Sequence, residues 1–303
     1  STDDTPRVCD EIAALHGGTV RSLHRPNGGP GMARETGRLA ARGEFIQYLD
    51  SDDRILPGKF EVQVTALSAN PECDVAYGWT RYVRAGGAAL PEPWKGSGRS
   101  VAAMFPSFLN ERWWDTPTPL YRRCVTDAAG PWSDLRLEED WEYDCRIASL
   151  GTRLAYCPEF VAEVRDHAEG RLCRGEALDP ARLRERSRSH ILSYGHARRF
   201  GIGPESPEMQ EYARELFHLC RQCGSAGLVD ESRELFLLAR EASGSKRRRA
   251  WDFRLYSFAS AVLGWKNAGA LACDGDRLRD RIRSLLSERS SPLHLERGGR
   301  RPG

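Results

Sequence analysis

Apolar residues in the first half of the chain switch repeatedly between a helical and a strand period. Val8, Ile12 and Leu15 share one side of a helix predicted over residues 5–15, with Pro6 in its first turn, where a missing N–H costs nothing. A short strand is predicted over 19–23, a glycine-rich loop over 25–31, and a helix over about 32–41. Phe45-Ile46-Gln47-Tyr48-Leu49 reads as a strand that stops abruptly in Asp50-Ser51-Asp52-Asp53. A helix over 59–67 and strands over 74–79 and 81–84 follow. Residues 85–118, rich in Gly, Pro and Trp, read as a loop carrying one helix at 101–109. A helix over 137–150, acidic at its start, ends at Gly151.

Strands alternating with helices indicate an α/β fold with a largely parallel sheet, whose ligand sites lie beyond the carboxyl ends of the strands. From about residue 181 to 286 the pattern is helical throughout, with breaks at 201–207, 224–228 and 243–245, before a frayed tail over 289–303. The pair 209–223 and 229–242 resembles a helical-repeat hairpin, but one pair does not establish an array.

Composition narrows the class. At 303 residues, 40% hydrophobic and 29% charged, the chain can bury a sizeable core and is not disordered or fibrous. No stretch approaches the roughly 18 apolar residues of a membrane-spanning helix. Charge is uneven: residues 1–169 carry 26 acidic against 19 basic side chains, and residues 170–303 carry 26 basic against 17 acidic. The acidic half could hold a cation; the basic half could face an anionic surface or simply be a solvated helical surface. Nine scattered cysteines read as reduced thiols in a cytoplasmic setting. Cys220 and Cys223, with His218 nearby, lie in a helical pattern with no second ligand pair at zinc spacing, so two buried thiols are expected there.

Three features could carry chemistry. Asp50, Asp52 and Asp53 repel one another unless a cation or donors offset them, which suits a divalent ion with open positions for a phosphate-bearing ligand; an acidic surface turn is the plainer alternative. The loop at 27–31 feeds a helix carrying Arg34, an anion-friendly arrangement, although no Walker lysine follows. Glu138-Glu139-Asp140 open a helix, where the dipole favours acids and where a rigidly held carboxylate can also act as a general base.

Their order resembles the family 2 glycosyltransferases of the GT-A fold. Residues 1–5 (Ser-Thr-Asp-Asp-Thr) look like the end of that family's D-D-G-S-T-D-x-T segment. Asn27-Gly28-Gly29-Pro30-Gly31-Met32-Ala33-Arg34 resembles N-x-G-x-x-x-A-R, and residues 43–53 resemble G-x-[YF]-[IV]-x-[FL]-L-D-x-D-D, continuing through Leu56-Pro57-Gly58-Lys59. Thr118-Pro119, Gly130, then Glu139-Asp140-Trp141, Arg146 and Gly151 match the later E-D-W…R…G segment.

The resemblance covers residues 1 to about 170. It implies a GT-A, Rossmann-like mixed sheet flanked by helices as catalytic domain over 1–170, and an all-helical region over 171–303. It implies that Asp3 and Asp52 contact a nucleotide-sugar donor, Asp52 at the ribose, and that Asp53 ligates Mg²⁺ or Mn²⁺ bridging the diphosphate. Asp50 would shape the turn, Arg34 would lie near the diphosphate or base, and Asp140 would be the general base of an inverting displacement. His167 falls where similar enzymes carry a loop over the diphosphate, and a metal or phosphate role competes there with a plain solvent-facing histidine.

Relative to the family, the first strand, helix and second strand precede the point where this sequence starts, so an N-terminally incomplete chain is expected. Glu35 stands where the family usually has Asn, which would put a carboxylate near a phosphate site. The implied partners are a nucleotide-sugar donor and a saccharide, lipid-linked or protein acceptor, as in cell-envelope polysaccharide assembly, with no nucleic acid. The helical half shows no catalytic signature. Its stretch of Lys246-Arg247-Arg248-Arg249 followed by Trp251, Phe253, Leu255, Tyr256 and Phe258 reads first as a core-facing helix beside a solvated charge run, and secondly as peripheral contact with the inner membrane face or as acceptor binding. A degenerate protein that binds nucleotide or glycan without turnover is the rival reading; a sugar nucleotidyltransferase would need a Gly-rich N-terminal signature that is absent.

Overall fold

The computed structural model describes residues 3–166 and 176–290. Five strands, β1 (Phe45–Ile46), β2 (Arg54–Ile55), β3 (Val75–Val83), β4 (Leu120–Arg122) and β5 (Leu154–Arg165), form one sheet in the order β1-β4-β3-β5-β2. The helices are α1 (Thr5–Leu15), α2 (Pro30–Ala40), α3 (Lys59–Ala69), α4 (Arg123–Ala129), α5 (Glu139–Ala148), α6 (Pro180–Phe200), α7 (Pro207–Ser225), α8 (Val229–Ala242), α9 (Gly244–Arg247) and α10 (Trp251–Ser290), the last interrupted at Gly264.

The sheet is mixed, which corrects the largely parallel one that alternation suggested. Only β3 and β5 pair in parallel, joined by the long connection that carries α4 and α5; the β1–β4, β3–β4 and β2–β5 pairings are antiparallel. Expected strands 74–79 and 81–84 are one strand, β3, whose register against β5 shifts beside Gly78. A Cβ there would lie 2.8 Å from the Glu159 carbonyl oxygen, so glycine permits the close approach. The strand expected at 19–23 does not form, and only Phe45–Ile46 of the stretch 45–49 pairs. The helix expected at 101–109 shrinks to a 3-10 turn at Ser107–Leu109, since a proline at 106 steers the preceding residue away from helical backbone.

Side-chain alternation on β3 divides the interior. Ala76 joins Leu67, Leu120, Ala155 and Cys157 in a small cluster under α3, while Val75 and Tyr77 face a larger core with Ile46, Trp113, Trp114 and Tyr143. That larger core runs on without interruption into α6, α7, α8 and α10 through Leu183, Leu216, Leu235 and Phe253. The helical region therefore packs directly behind α5: Arg186 Nε and the Ser189 hydroxyl reach the Glu138 carboxylate (3.0 Å) and carbonyl (3.3 Å), and His196 Nε2 lies 2.9 Å from Glu142 Oε1. The expected thiols of Cys220 and Cys223 are buried, within 3.6 Å of the Ser232 hydroxyl and 3.1 Å of the Ser187 hydroxyl respectively. By contrast, α1 buries no residue, and its Val8-Ile12-Leu15 stripe is exposed. Among the described residues no helix is long and apolar enough to cross a membrane.

Candidate active site

The acidic turn is fixed from both sides. On the β1 side, Tyr48 sets its ring edge-on against Trp132 (centroids 4.9 Å apart) and Tyr143. On the other side, β2 pairs with the end of β5, with Arg54 opposite Glu163 and Ile55 opposite Ala162. Within the turn, the Asp53 amide donates to the Asp50 carbonyl at 3.1 Å. Arg165 closes it: its Nε donates to the Asp52 carbonyl (2.8 Å) and its backbone N–H to Asp53 Oδ1 (3.4 Å). Burial, then the charges of Asp52 and Asp50, push the Asp53 carboxyl up to about 7, against the Arg165 amide that favours ionisation. A carboxyl raised by burial and by its acidic neighbours is under-compensated, and a cation would relieve it.

Arg34 projects from α2. The helix begins where Asn27 Oδ1 accepts the Gly29 amide (3.1 Å), and Gly31 sits so close to Ser133 that a Cβ would be 2.8 Å from its carbonyl oxygen. The Arg34 guanidinium donates to Asp50 (2.6 Å) and to Glu139 (2.7 Å) and stacks over Trp132 at 4.9 Å. Burial works against its charge, but Asp50, Asp140 and Glu139 more than offset that, and it stays cationic. Both terminal nitrogens are thus committed to carboxylates, and Arg34 is a brace between the turn and α5.

At the start of α5, Glu138 takes a left-handed backbone (φ 58°, ψ 21°), which turns the chain so that Glu139 faces Arg34 and Asp140 faces the segment after β3. The Asp140 side chain is 27% exposed. Its Oδ2 accepts from Arg112 (2.8 Å) and the Thr116 hydroxyl (3.3 Å), and its Oδ1 from the Trp141 amide (2.8 Å). Burial alone would raise this carboxyl; Arg112, then Arg34 and Lys95, outweigh it and hold it below the usual range. Arg112 is itself clamped by Asp144 (2.8 Å), a fully buried carboxylate that also accepts from Trp114 Nε1 (2.9 Å) and the Tyr121 hydroxyl (2.7 Å). Lys95 reaches Asp115 at 2.5 Å, leaving Asp115 Oδ2 buried without a partner, and the Asp115 charge is felt at Asp53.

Sequence reading missed Lys95, Arg112, Asp115 and Thr116. The signal was present in Arg112-Trp113-Trp114-Asp115, two charges bracketing two indoles, but the segment has no regular period to aim them. The Glu35 expectation is corrected: its carboxylate is buried against Arg38 (2.7 and 2.9 Å) and accepts the Trp132 amide (3.3 Å), turned into the packing beneath α2. Asp3 is exposed at the start of α1, where its Oδ1 accepts the Thr5 amide at 3.1 Å. Asp52 is half-buried in the turn. His167 lies outside the described residues, and among those described no three His, Cys, Asp or Glu side chains are grouped to hold a metal.

The chain resembles known proteins in two ways. By sequence, it is 42% identical over 57 residues to the putative glycosyltransferase EpsH of Bacillus subtilis, which is 19% of this chain and 16% of that protein. It is 32% identical over 76 residues to the uncharacterized glycosyltransferase YibD of Escherichia coli, 25% of this chain and 22% of the other. The chain thus matches less than a quarter of the length of either relative. By fold, it is similar to Staphylococcus aureus TarS residues 1–349 in complex with UDP-GlcNAc, with a TM-score of 0.59 at 18% identity over 91% of this chain and 80% of that one. Longer TarS gives 0.56 over 89% and 47%. The family model for glycosyl transferase family 2 matches residues 1–124, the part that supplies α2, the acidic turn and β1 to β4, so this part of the chain is similar to that family, and the chain as a whole has a GT-A fold.

Proposed function

We propose that this chain is a metal-dependent, inverting glycosyltransferase that moves a sugar from a nucleotide-sugar donor to a saccharide, lipid-linked or protein acceptor. The supporting observation is the Arg34 brace, which couples the Asp50 turn to the Glu139-Asp140 helix start, Arg34 and Glu139 being 105 residues apart in sequence. It supports reading Asp53, beside Asp50, and Asp140, beside Glu139, as the two carboxylates of one site. Asp53 fits a hard divalent ion: it is an oxygen donor raised by burial and then by its acidic neighbours, and an ion held largely by a diphosphate needs few protein ligands. When bound, Mg²⁺ or Mn²⁺ would neutralise charge developing on the leaving nucleoside diphosphate. Asp52 would position the ribose, with Asp3 and His167 as further contacts to donor and metal. Asp140, kept ionised by Arg112, takes the proton of the attacking acceptor hydroxyl. With one base and no enzyme nucleophile, displacement is direct and inverts the anomeric centre. We assign this chemistry to residues 1–170, in the cytoplasm.

The test is release of nucleoside diphosphate from a panel of nucleotide sugars with Mn²⁺, UDP-GlcNAc first. Turnover that vanishes in Asp140→Asn while nucleotide binding persists supports the enzyme. Nucleotide binding with no turnover of any donor makes the chain a binding protein instead.

A further inference from the structure

The basic, aromatic stretch opening α10 divides into two faces. Phe253, Tyr256 and Ser260 are buried, with Phe253 4.7 Å from Phe217 and Tyr256 5.7 Å from Phe236 between ring centroids, so this face closes the core. Trp251, Leu255, Phe258 and Val262, spaced four, three and four apart, form the outer stripe and are 75, 58, 67 and 63% exposed. Four large apolar residues in one exposed helical row exceed what an ordinary solvated face carries.

Charge tells what covers them. Arg240, Arg248 and Arg254 line a cavity of about 350 Å³ together with Phe253, Ser257, Phe258 and Ala261. Among the described residues, no carboxylate pairs with any of these three arginines; Arg240 lies over the Phe236 ring at 5.7 Å, and the nearby Asp252 is taken by Arg247 at 3.2 Å. Three uncompensated guanidiniums beside an apolar row match a surface that presents phosphates above hydrocarbon. Guanidiniums bind phosphate in a bidentate fork, while the row enters the acyl boundary and the arginine stems extend the apolar contact.

We propose that the outer face of α10, Trp251-Leu255-Phe258-Val262 with Arg240, Arg248 and Arg254, docks this chain on an anionic phospholipid surface. The inference is independent of the assigned chemistry, since none of these residues belongs to the acidic turn or to α5. A protein partner would be expected to bring its own carboxylates to three arginines, and a second copy of the chain would set the same cations against each other.

The experiment is flotation of the chain with phosphatidylcholine vesicles with and without phosphatidylglycerol, at low and high salt. Wild type should float with anionic vesicles only, and salt should weaken the binding. Trp251→Ser/Phe258→Ser and, separately, Arg240→Gln/Arg248→Gln/Arg254→Gln should each lower binding about tenfold or more. Both sets change exposed or cavity-lining positions, and unchanged melting temperatures verify their folding; Leu255→Glu serves if either set melts early. No binding to anionic vesicles, equal binding to pure phosphatidylcholine, or full binding by the apolar variant overturns the proposal. So does a lipid-free dimer in sedimentation that the apolar variant dissolves, because a second copy then occupies the face. Protection by inorganic phosphate alone, without vesicle binding, assigns the cavity to a free anion and also overturns it.

Discussion

Arg34 joins Asp50 and Glu139, 2.6 and 2.7 Å from their carboxylates, with Trp132 against its guanidinium plane. The Arg34 side chain is 11% exposed, so the contacts operate with little screening. Removing the cation leaves two carboxylates facing each other near the same indole. Arg34→Ala should lose about 3 kcal/mol of stability by urea unfolding. Arg34→Lys should recover only part, because one ammonium cannot fork to two carboxylates and stack at once. Full recovery by lysine would show that charge alone matters there.

Asp140 is expected to carry the proton transfer. Asp140→Asn should lower kcat by roughly 10²- to 10⁴-fold and leave donor KM within a few fold, measured by nucleotide release. A comparable loss from Glu139→Gln with full activity in Asp140→Asn would move the base one position.

Arg112 favours the ionised form of the Asp140 carboxyl. It is the foremost of the cations that pull the Asp140 carboxyl below its ordinary range, and Asp144 holds it in place. Without the cation, the Asp140 carboxyl rises, and protons compete for it at higher pH. Arg112→Gln should therefore shift the acidic limb of the kcat/KM profile upward. An unmoved limb with reduced kcat would mean that Arg112 only shapes the packing.

The helical region stabilises α5 through Glu142. Burial raises this carboxyl, but hydrogen bonds from His196 and Arg146 outweigh it and hold it at about 2. A carboxylate whose folded pKa is depressed contributes stability above its unfolded value, near 4.5, and loses it as pH falls toward 2. That contribution is about 3 kcal/mol at neutral pH. Urea midpoints should fall between pH 5 and pH 2 in wild type, and the fall should be shallower in Glu142→Gln. Parallel curves would remove Glu142 from the acid response.

Much of this was legible in the sequence. The helices read at 5–15, 59–67 and, with breaks, about 181–286, and the acidic turn, followed from local period and turn chemistry, which depend only on neighbours in the chain. The sheet's antiparallel edges were not legible, because β1, β2 and β4 are two or three residues long and carry no period of their own. The Arg34 brace and the Arg112 clamp were equally hidden: Arg34 and Glu139 are 105 residues apart, and Arg112 comes from a loop aimed by buried Trp113 and Trp114. Glu35 misled for a related reason, since its sequence neighbour to Arg34 says nothing of which side of α2 it takes; Arg38, three residues on, claims it.

The central claim is that the Asp53 turn holds a cation for a nucleoside diphosphate beside the Asp140 carboxylate. Thermal shift with UDP and related diphosphates, with and without Mn²⁺, on wild type, Asp53→Ala and Asp140→Asn tests it most directly, since a ligand that binds only the folded state raises its melting temperature. The account predicts a Mn²⁺-dependent rise in wild type and Asp140→Asn that is lost in Asp53→Ala. An equal rise without Mn²⁺, or one that survives in Asp53→Ala, would contradict it.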